Sequence, residues 1–216
     1  MPARKAVAVL ISGRGSNLRA LIAAAAAEDY PARIALVLSN KSDAEGLEIA
    51  RAAGIATLVI ESRGKERAAF DAEMDAALKA HGIELLCLAG FMRLLTTEFV
   101  QAWYGRMINI HPSLLPAFKG TDVHARVVAS GVRFTGCSVH FVSPEMDEGP
   151  IIAQAVVPVP PDATPQSVAA AVLEQEHALY PQALKLLAEG KLAIEGQRVR
   201  VVDTAAADKA IISPQT

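Results

Sequence analysis

Five short apolar runs recur along the first two thirds of this chain, at Lys5 to Ser12, Arg33 to Ser39, Thr57 to Ile60, Leu85 to Ala89 and Met107 to Ile110, with helix-period segments between them. A helical crossover returns the chain to the same end of a sheet, so strands joined this way pair parallel. The alternation therefore predicts a doubly wound, mostly parallel α/β sheet with helices on both faces. Leu18, Leu21, Ile22 and Ala25 repeat at helical spacing, and Phe70, Met74, Ala77 and Leu78 nearly do, which predicts two amphipathic helices. Ser138 to Val142 and Ile151 to Val157 read as further strands around the turn-rich Ser143 to Pro150 segment. Thr164 as N-cap and Pro165 at the first helical position open a helix expected to break or kink at Tyr180-Pro181 and to stop at Gly190. Lys191 to Ile194 and Arg198 to Val202 suggest a terminal hairpin. One domain over residues 1–203 with a loose tail over 204–216 follows.

The charge balance narrows the partners. With 21 Lys and Arg against 23 Asp and Glu, the chain carries a net charge of −2 and has no basic excess to track a nucleic-acid backbone. No apolar run approaches the roughly 18 residues of a membrane span, and the N-terminal residues lack the pattern of a signal peptide. Cys87 and Cys137 lie 50 positions apart in apolar, strand-like surroundings without a Cys-x-x-Cys, as expected of buried reduced thiols in a cytoplasmic protein. No His or Cys cluster has metal-ligand spacing, so no metal is expected.

Chemistry concentrates in Asn109-Ile110-His111-Pro112-Ser113-Leu114-Leu115-Pro116, at the end of an apolar strand. Residues i and i+2 of a strand share a face, so a carboxamide able to hold an oxyanion and an imidazole able to carry a proton address one point. That is equipment for acyl transfer. The two prolines stiffen the loop that leaves the strand. An unperturbed imidazole, with a pKa of about 6.5, is mostly neutral near pH 7 and needs a carboxylate beside it to act as an acid. Asp147, in the loop after the Ser138 strand, is the candidate.

A second feature follows the first strand. Ser12-Gly13-Arg14-Gly15-Ser16-Asn17 opens a helix, where backbone N–H groups and the helix dipole favour an anion. Leu18 stands where a dinucleotide fingerprint has its third glycine, and Leu38-Ser39-Asn40 lacks the acidic residue that would hold a ribose. No Walker lysine is present. The loop suits one phosphate monoester, or is a plain strand-to-helix turn capped by Ser16.

The Asn-x-His-Pro-Ser-Leu-Leu-Pro segment resembles the signature of the formyltransferase family, enzymes that take a formyl group from 10-formyltetrahydrofolate, and within it those whose acceptor is glycinamide ribonucleotide. The likeness runs from about Ala6 to Gly190 and implies the Rossmann-like formyltransferase fold, the cosubstrate 10-formyltetrahydrofolate and direct transfer in purine biosynthesis. It implies that Asn109, His111 and Asp147 are catalytic. Gly13, Gly15, Ser16 and Asn17 would hold the phosphate and glycinamide of the ribonucleotide together with Glu176, for which a helix-surface carboxylate is the alternative. Met92, Arg93, Leu94 and Leu95 would form one side of the folate pocket and Ser143, Pro144, Glu145, Met146 and Asp147 the other, with Asn109 between them. Arg67 would meet the folate tail, with Arg63 as a rival. His124 and His177 stand at family-like positions as braces, His140 reads as core or support, and His81 as a helix-end residue without a catalytic role. A transfer-RNA formyltransferase would need a further basic domain after this one and a formyltetrahydrofolate deformylase an extra domain ahead of it. The alternatives are that deformylase and, on fold alone, a nucleotide-binding oxidoreductase. Monomer and homodimer are both compatible with the sequence.

Overall fold

The structure is a computed structural model that describes residues 3–202 and Ser213, so the expected tail over 204–216 lies outside the described residues apart from Ser213. In chain order the elements are β1 (Lys5–Ile11), α1 (Ser16–Ala25), β2 (Ala32–Ser39), α2 (Gly46–Ala52), β3 (Ala56–Val59), α3 (Arg67–Ala80), β4 (Leu85–Leu88), α4 (Thr97–Ala102), β5 (Met107–His111), α5 (Val123–Ser130), β6 (Phe134–Phe141), β7 (Ile151–Pro158), α6 (Pro165–Ala188), β8 (Leu192–Glu195) and β9 (Arg198–Val201). Among the described residues nine strands form one sheet in the order β3-β2-β1-β4-β5-β6-β7-β9-β8. The first five pair parallel, as the alternation of runs and helices requires. From β5 the sheet changes direction: β6 is antiparallel to β5, and β7 to β6. The β8–β9 hairpin closes the far edge, with β9 joined to β7.

Alternate residues of β1 serve two cores. Val7, Val9 and Ile11 pack with Leu18 and Leu21 of α1 and with Tyr180 and Leu184 of α6, while Ala8 and Leu10 pack with Phe70 and Met74 of α3 and with Phe99 and Trp103 of the α4 segment. Both faces of the parallel region are thus covered by helices, and its strands read as continuous apolar runs. Among the described residues no helix is long and apolar enough to cross a membrane.

Three differences from the sequence reading have physical causes. Helices α2, α4 and α5 went unforeseen; at 7, 6 and 8 residues they are too short to show a helical period. Strand β6 begins at Phe134 rather than Ser138; Gly136, a poor strand former, breaks the pattern in the sequence, yet it lies inside the strand where a Cβ would come within 1.8 Å of the Ala155 carbonyl oxygen on β7. Helix α6 continues through Pro181 instead of breaking there.

Tertiary contacts override the proline. Tyr180 is fully buried and its hydroxyl reaches the carbonyl oxygens of Leu88 on β4, at 2.9 Å, and Ile108 on β5, at 3.1 Å. Tyr30 Oη donates to the Pro181 carbonyl oxygen at 2.6 Å. The helix start and end are as expected, with a Thr164–Ser167 capping box, and Gly190 at φ 69 follows the last turn. Tyr180→Phe keeps the ring and removes the bridge to the strands, so the denaturant midpoint should fall by the equivalent of about 1 kcal/mol with an unchanged slope. A midpoint equal to that of the unaltered protein would show that the bridge does not hold the helix.

Candidate active site

The end of β5 sets the geometry. Asn109 and His111 share one face, and the antiparallel register places His140 opposite Asn109 and Ser138 opposite His111. His111, only 5% exposed, donates from Nε2 to the carbonyl oxygen of Phe118 at 3.0 Å. Its Nδ1 faces Asp147 Oδ2 at 3.4 Å. Both ring nitrogens therefore look at oxygen acceptors, a pattern that only a doubly protonated ring fully satisfies.

Two loops deliver those acceptors, each through a residue in the left-handed region. Asp147 has φ 57, a conformation aspartate tolerates, and its Oδ2 also accepts from the Gly120 N–H at 2.8 Å. Phe118, at φ 54, is a bulkier residue in the same region. Arg126 holds the segment around it, donating from Nη1 to the carbonyl oxygens of Lys119 and Thr121 at 2.6 and 3.2 Å, with its guanidinium 5.7 Å from the Phe118 ring centre.

The loop over Pro112 to Pro116 is held by more than its prolines. Ser138 Oγ donates to the Ser113 carbonyl oxygen at 2.7 Å and accepts from the Leu115 N–H at 3.0 Å. Gln154 Nε2 donates to the Leu115 carbonyl oxygen and to Ser138 Oγ at 3.0 and 2.8 Å. The Leu115-Pro116 bond is cis. The loop that carries Asp147 leaves β6 level with the start of β5, where Val142 N–H donates to the Met107 carbonyl oxygen, and turns back to reach His111.

A cavity of about 910 Å³ opens above these residues, between the Gly90 to Leu95 loop and the Val142 to Asp147 loop, with Asn109, His111 and His140 on its floor and His124 in its wall. Its rim is apolar: Met92, Leu94 and Met146 are 70%, 56% and 57% exposed, unusual for side chains of their kind unless a ligand covers them. Arg93 donates to the carbonyl oxygens of Ser62 and Lys65 at 3.0 and 2.9 Å, with its guanidinium 4.6 Å from the Phe70 ring centre. Arg63 and Arg67 are exposed and line no part of the cavity; of the three arginines, the structure places Arg93 at it.

The glycine loop leads from β1 into α1. Gly15, not Ser16, is the N-cap, at φ 76 and without a side-chain bond to the first turn. A Cβ there would lie 2.7 Å from Gly46 Cα, and Gly46 N–H donates to the Gly13 carbonyl oxygen at 3.0 Å, so the loop rests backbone to backbone on the start of α2. Asn17 Nδ2 donates to Glu176 Oε2 at 2.7 Å, joining α1 to α6. Glu176 is therefore a buried partner of the loop, at 7% exposure, and not a helix-surface carboxylate. Burial pushes its carboxyl above the usual range, while the Asn17 bond works the other way. Asn17 Oδ1 has no partner.

Other titratable groups have simpler settings. Burial drives the Cys87 and Cys137 thiols up to about 12. Burial, helped by His111, lowers His124. His177 is not a wall residue, and its Nε2 has no partner. His81 caps the end of α3, its Nδ1 at 2.8 Å from the Ala77 carbonyl oxygen. Among the described residues no group of three or more His, Cys, Asp and Glu side chains is arranged to hold a metal ion. The Phe118 carbonyl and the Ser138–Gln154 clamp leave no local trace in the sequence, whereas His140, expected there as core or support, stands on the floor beside Asn109.

Comparison with known proteins agrees with this geometry. Residues 5–184 match the formyl transferase family model. The chain is 43% identical over 201 residues to phosphoribosylglycinamide formyltransferase of Escherichia coli, covering 89% of this chain and 95% of that protein. It is 46% identical over 201 residues to the trifunctional purine biosynthetic protein adenosine-3 of Bos taurus, matching 93% of this chain but spanning only 20% of that protein. Among solved structures, glycinamide ribonucleotide transformylase 1 from Symbiobacterium toebii superposes with a TM-score of 0.91 at 45% identity, covering 94% of this chain and 96% of that one. Formyltetrahydrofolate deformylase from Burkholderia mallei superposes with a TM-score of 0.85 at 28% identity, covering 93% of this chain and 71% of that one. With the strand-end Asn109 and His111, the carboxylate of Asp147 and the apolar cavity above them, these matches lead to one conclusion: the chain belongs to the formyl transferase family.

Proposed function

We propose that this protein transfers the formyl group of 10-formyltetrahydrofolate to the amino group of glycinamide ribonucleotide, in purine biosynthesis, through one catalytic domain over residues 1–203 acting in the cytoplasm without a metal. The observation that carries the reading is the convergence of Asn109, His111 and Asp147 on the floor of an apolar cavity large enough for a flat heterocycle. Met92 to Leu95 and Ser143 to Asp147 would enclose the folate, with Arg93 the nearest arginine for its tail. Gly13, Gly15, Ser16 and Asn17 would hold the phosphate end of the acceptor, with Glu176 behind Asn17.

Transfer then needs no covalent enzyme intermediate. The neutral amine attacks the formyl carbon, and the carbonyl electron pair moves onto oxygen. Asn109 N–H stabilises that oxygen by a hydrogen bond and the His111 ring by its positive charge, with its two N–H groups on the Phe118 carbonyl and Asp147. Collapse re-forms the carbonyl and breaks the bond to N10, which takes the proton that the attacking nitrogen loses. Asn109→Ala removes the amide donor to the developing charge and should lower kcat by about 10²-fold to 10³-fold, read in steady-state kinetics, with little change in melting temperature.

The chain is more similar to the transformylase than to the deformylase, at 45% against 28% identity. One spectrophotometric experiment separates the two activities: folate product formation followed with and without glycinamide ribonucleotide. Product that appears only with the ribonucleotide supports transfer, and equal rates with and without it would overturn transfer in favour of hydrolysis.

A further inference from the structure

Asn109 can present either its nitrogen or its oxygen to the reacting carbonyl, and only the nitrogen helps. What decides between them lies across the strand pair. Asn109 Nδ2 is 3.2 Å from His140 Nε2, and on the far side of that ring Nδ1 is 2.9 Å from the Phe141 carbonyl oxygen. A carbonyl only accepts, so Nδ1 carries a hydrogen; in the neutral ring Nε2 is then a bare lone pair, and a lone pair demands an N–H from Asn109. We propose that His140 is a positioning residue for formyl transfer, a hydrogen-bond acceptor that fixes the Asn109 carboxamide with one N–H on Nε2 and the other free for the formyl oxygen. This rests on the reading of Asn109 as the donor to that oxygen.

The surroundings keep His140 neutral. The side chain is 2% exposed, and burial is the largest influence pushing its imidazole below the usual range, with His111 adding to it. The Phe141 carbonyl and Asp147, whose Oδ1 stands 3.9 Å from Nε2, pull the other way and are outweighed. One carboxylate thus stands beside two histidines of opposite hydrogen-bond pattern: His111 faces acceptors on both sides, His140 an acceptor on one and a donor on the other. A charged His140 would turn the Asn109 oxygen toward Nε2 and draw Asp147 away from His111. Its neutrality serves both catalytic partners at once.

Kinetics and NMR test this separately. His140→Met fills similar space with only a weak thioether acceptor; kcat should fall about 10²-fold with KM for both substrates nearly unchanged. His140→Gln places an amide oxygen near the position of Nε2 and should recover most of the loss. Normal turnover in His140→Met, or a loss that Gln does not relieve, overturns the positioning role. Should the Met variant not fold, 15N chemical shifts of the unaltered protein at neutral pH decide: a protonated Nδ1 with a bare Nε2 supports the proposal, and the other tautomer or an imidazolium overturns it. An unaltered protein without ribonucleotide-dependent transfer would overturn the proposed function itself, whereas an active one with a fully active His140→Met variant overturns only the role of His140.

Discussion

Asp147→Asn is expected to lower kcat about a thousandfold while leaving the melting temperature within a few degrees of the unaltered protein. Asparagine tolerates the left-handed backbone at this position, φ 57, and its side-chain oxygen can still accept from the Gly120 N–H, so the loop keeps its shape. What changes is the charge beside His111. The oxygen that keeps the Gly120 bond still faces Nδ1, but it belongs to a neutral amide, so the ring loses the anion that offsets its positive charge as it stabilises the formyl oxygen. The alanine variant is a poorer probe, because it also loses the bond to Gly120 and strains the backbone. Steady-state rates with saturating folate and ribonucleotide measure the effect. A turnover within tenfold of normal would remove Asp147 from the chemistry.

Gly149→Ala should be the most damaging single methyl in the loop that carries Asp147. A Cβ at Gly149 would lie 1.7 Å from the Phe141 carbonyl oxygen and 2.8 Å from its carbon. Both are backbone atoms of β6, held there by the Phe141 N–H to Pro150 carbonyl bond of 2.9 Å, so no side chain can swing away. The loop or the strand must move instead, at a cost of about 3 kcal/mol. Because Asp147 stands two residues upstream and His140 one residue before Phe141, turnover should fall as well. A denaturant midpoint and kcat both near those of the unaltered protein would show that the pinch at the base of the loop is not rigid.

How much of this was legible in the sequence depends on the distance over which each feature is encoded. Val7 to Ile11 and Leu85 to Leu88 announce buried parallel strands by composition alone, because both of their faces are covered. Asn109 and His111 announce a shared face because a strand has a period of two. The short helices and the course of α6 through Pro181 stayed hidden, since the first carry too few residues for a period and the second depends on Tyr180 reaching β4 and β5. Asn17 and Glu176 bond across 159 positions, a pairing that no local pattern reports. The same holds for His140, whose place opposite Asn109 exists only because β6 runs antiparallel to β5.

That reversal of strand direction has a consequence for engineering. A one-residue slip between β5 and β6 would carry Asn109 and His140 to opposite faces, so the register of the ladder behaves as a template that keeps both groups on one face. The Met92 to Leu95 segment lies outside that ladder, whereas Ser143 to Met146 leads directly into Asp147 and sets where its carboxylate stands. On the proposed function, donor preference is therefore open to change along Met92 to Leu95 without touching the ladder. A library confined to Met92, Leu94 and Leu95 can be selected for new folate analogues with Asn109, His111 and Asp147 left as they are.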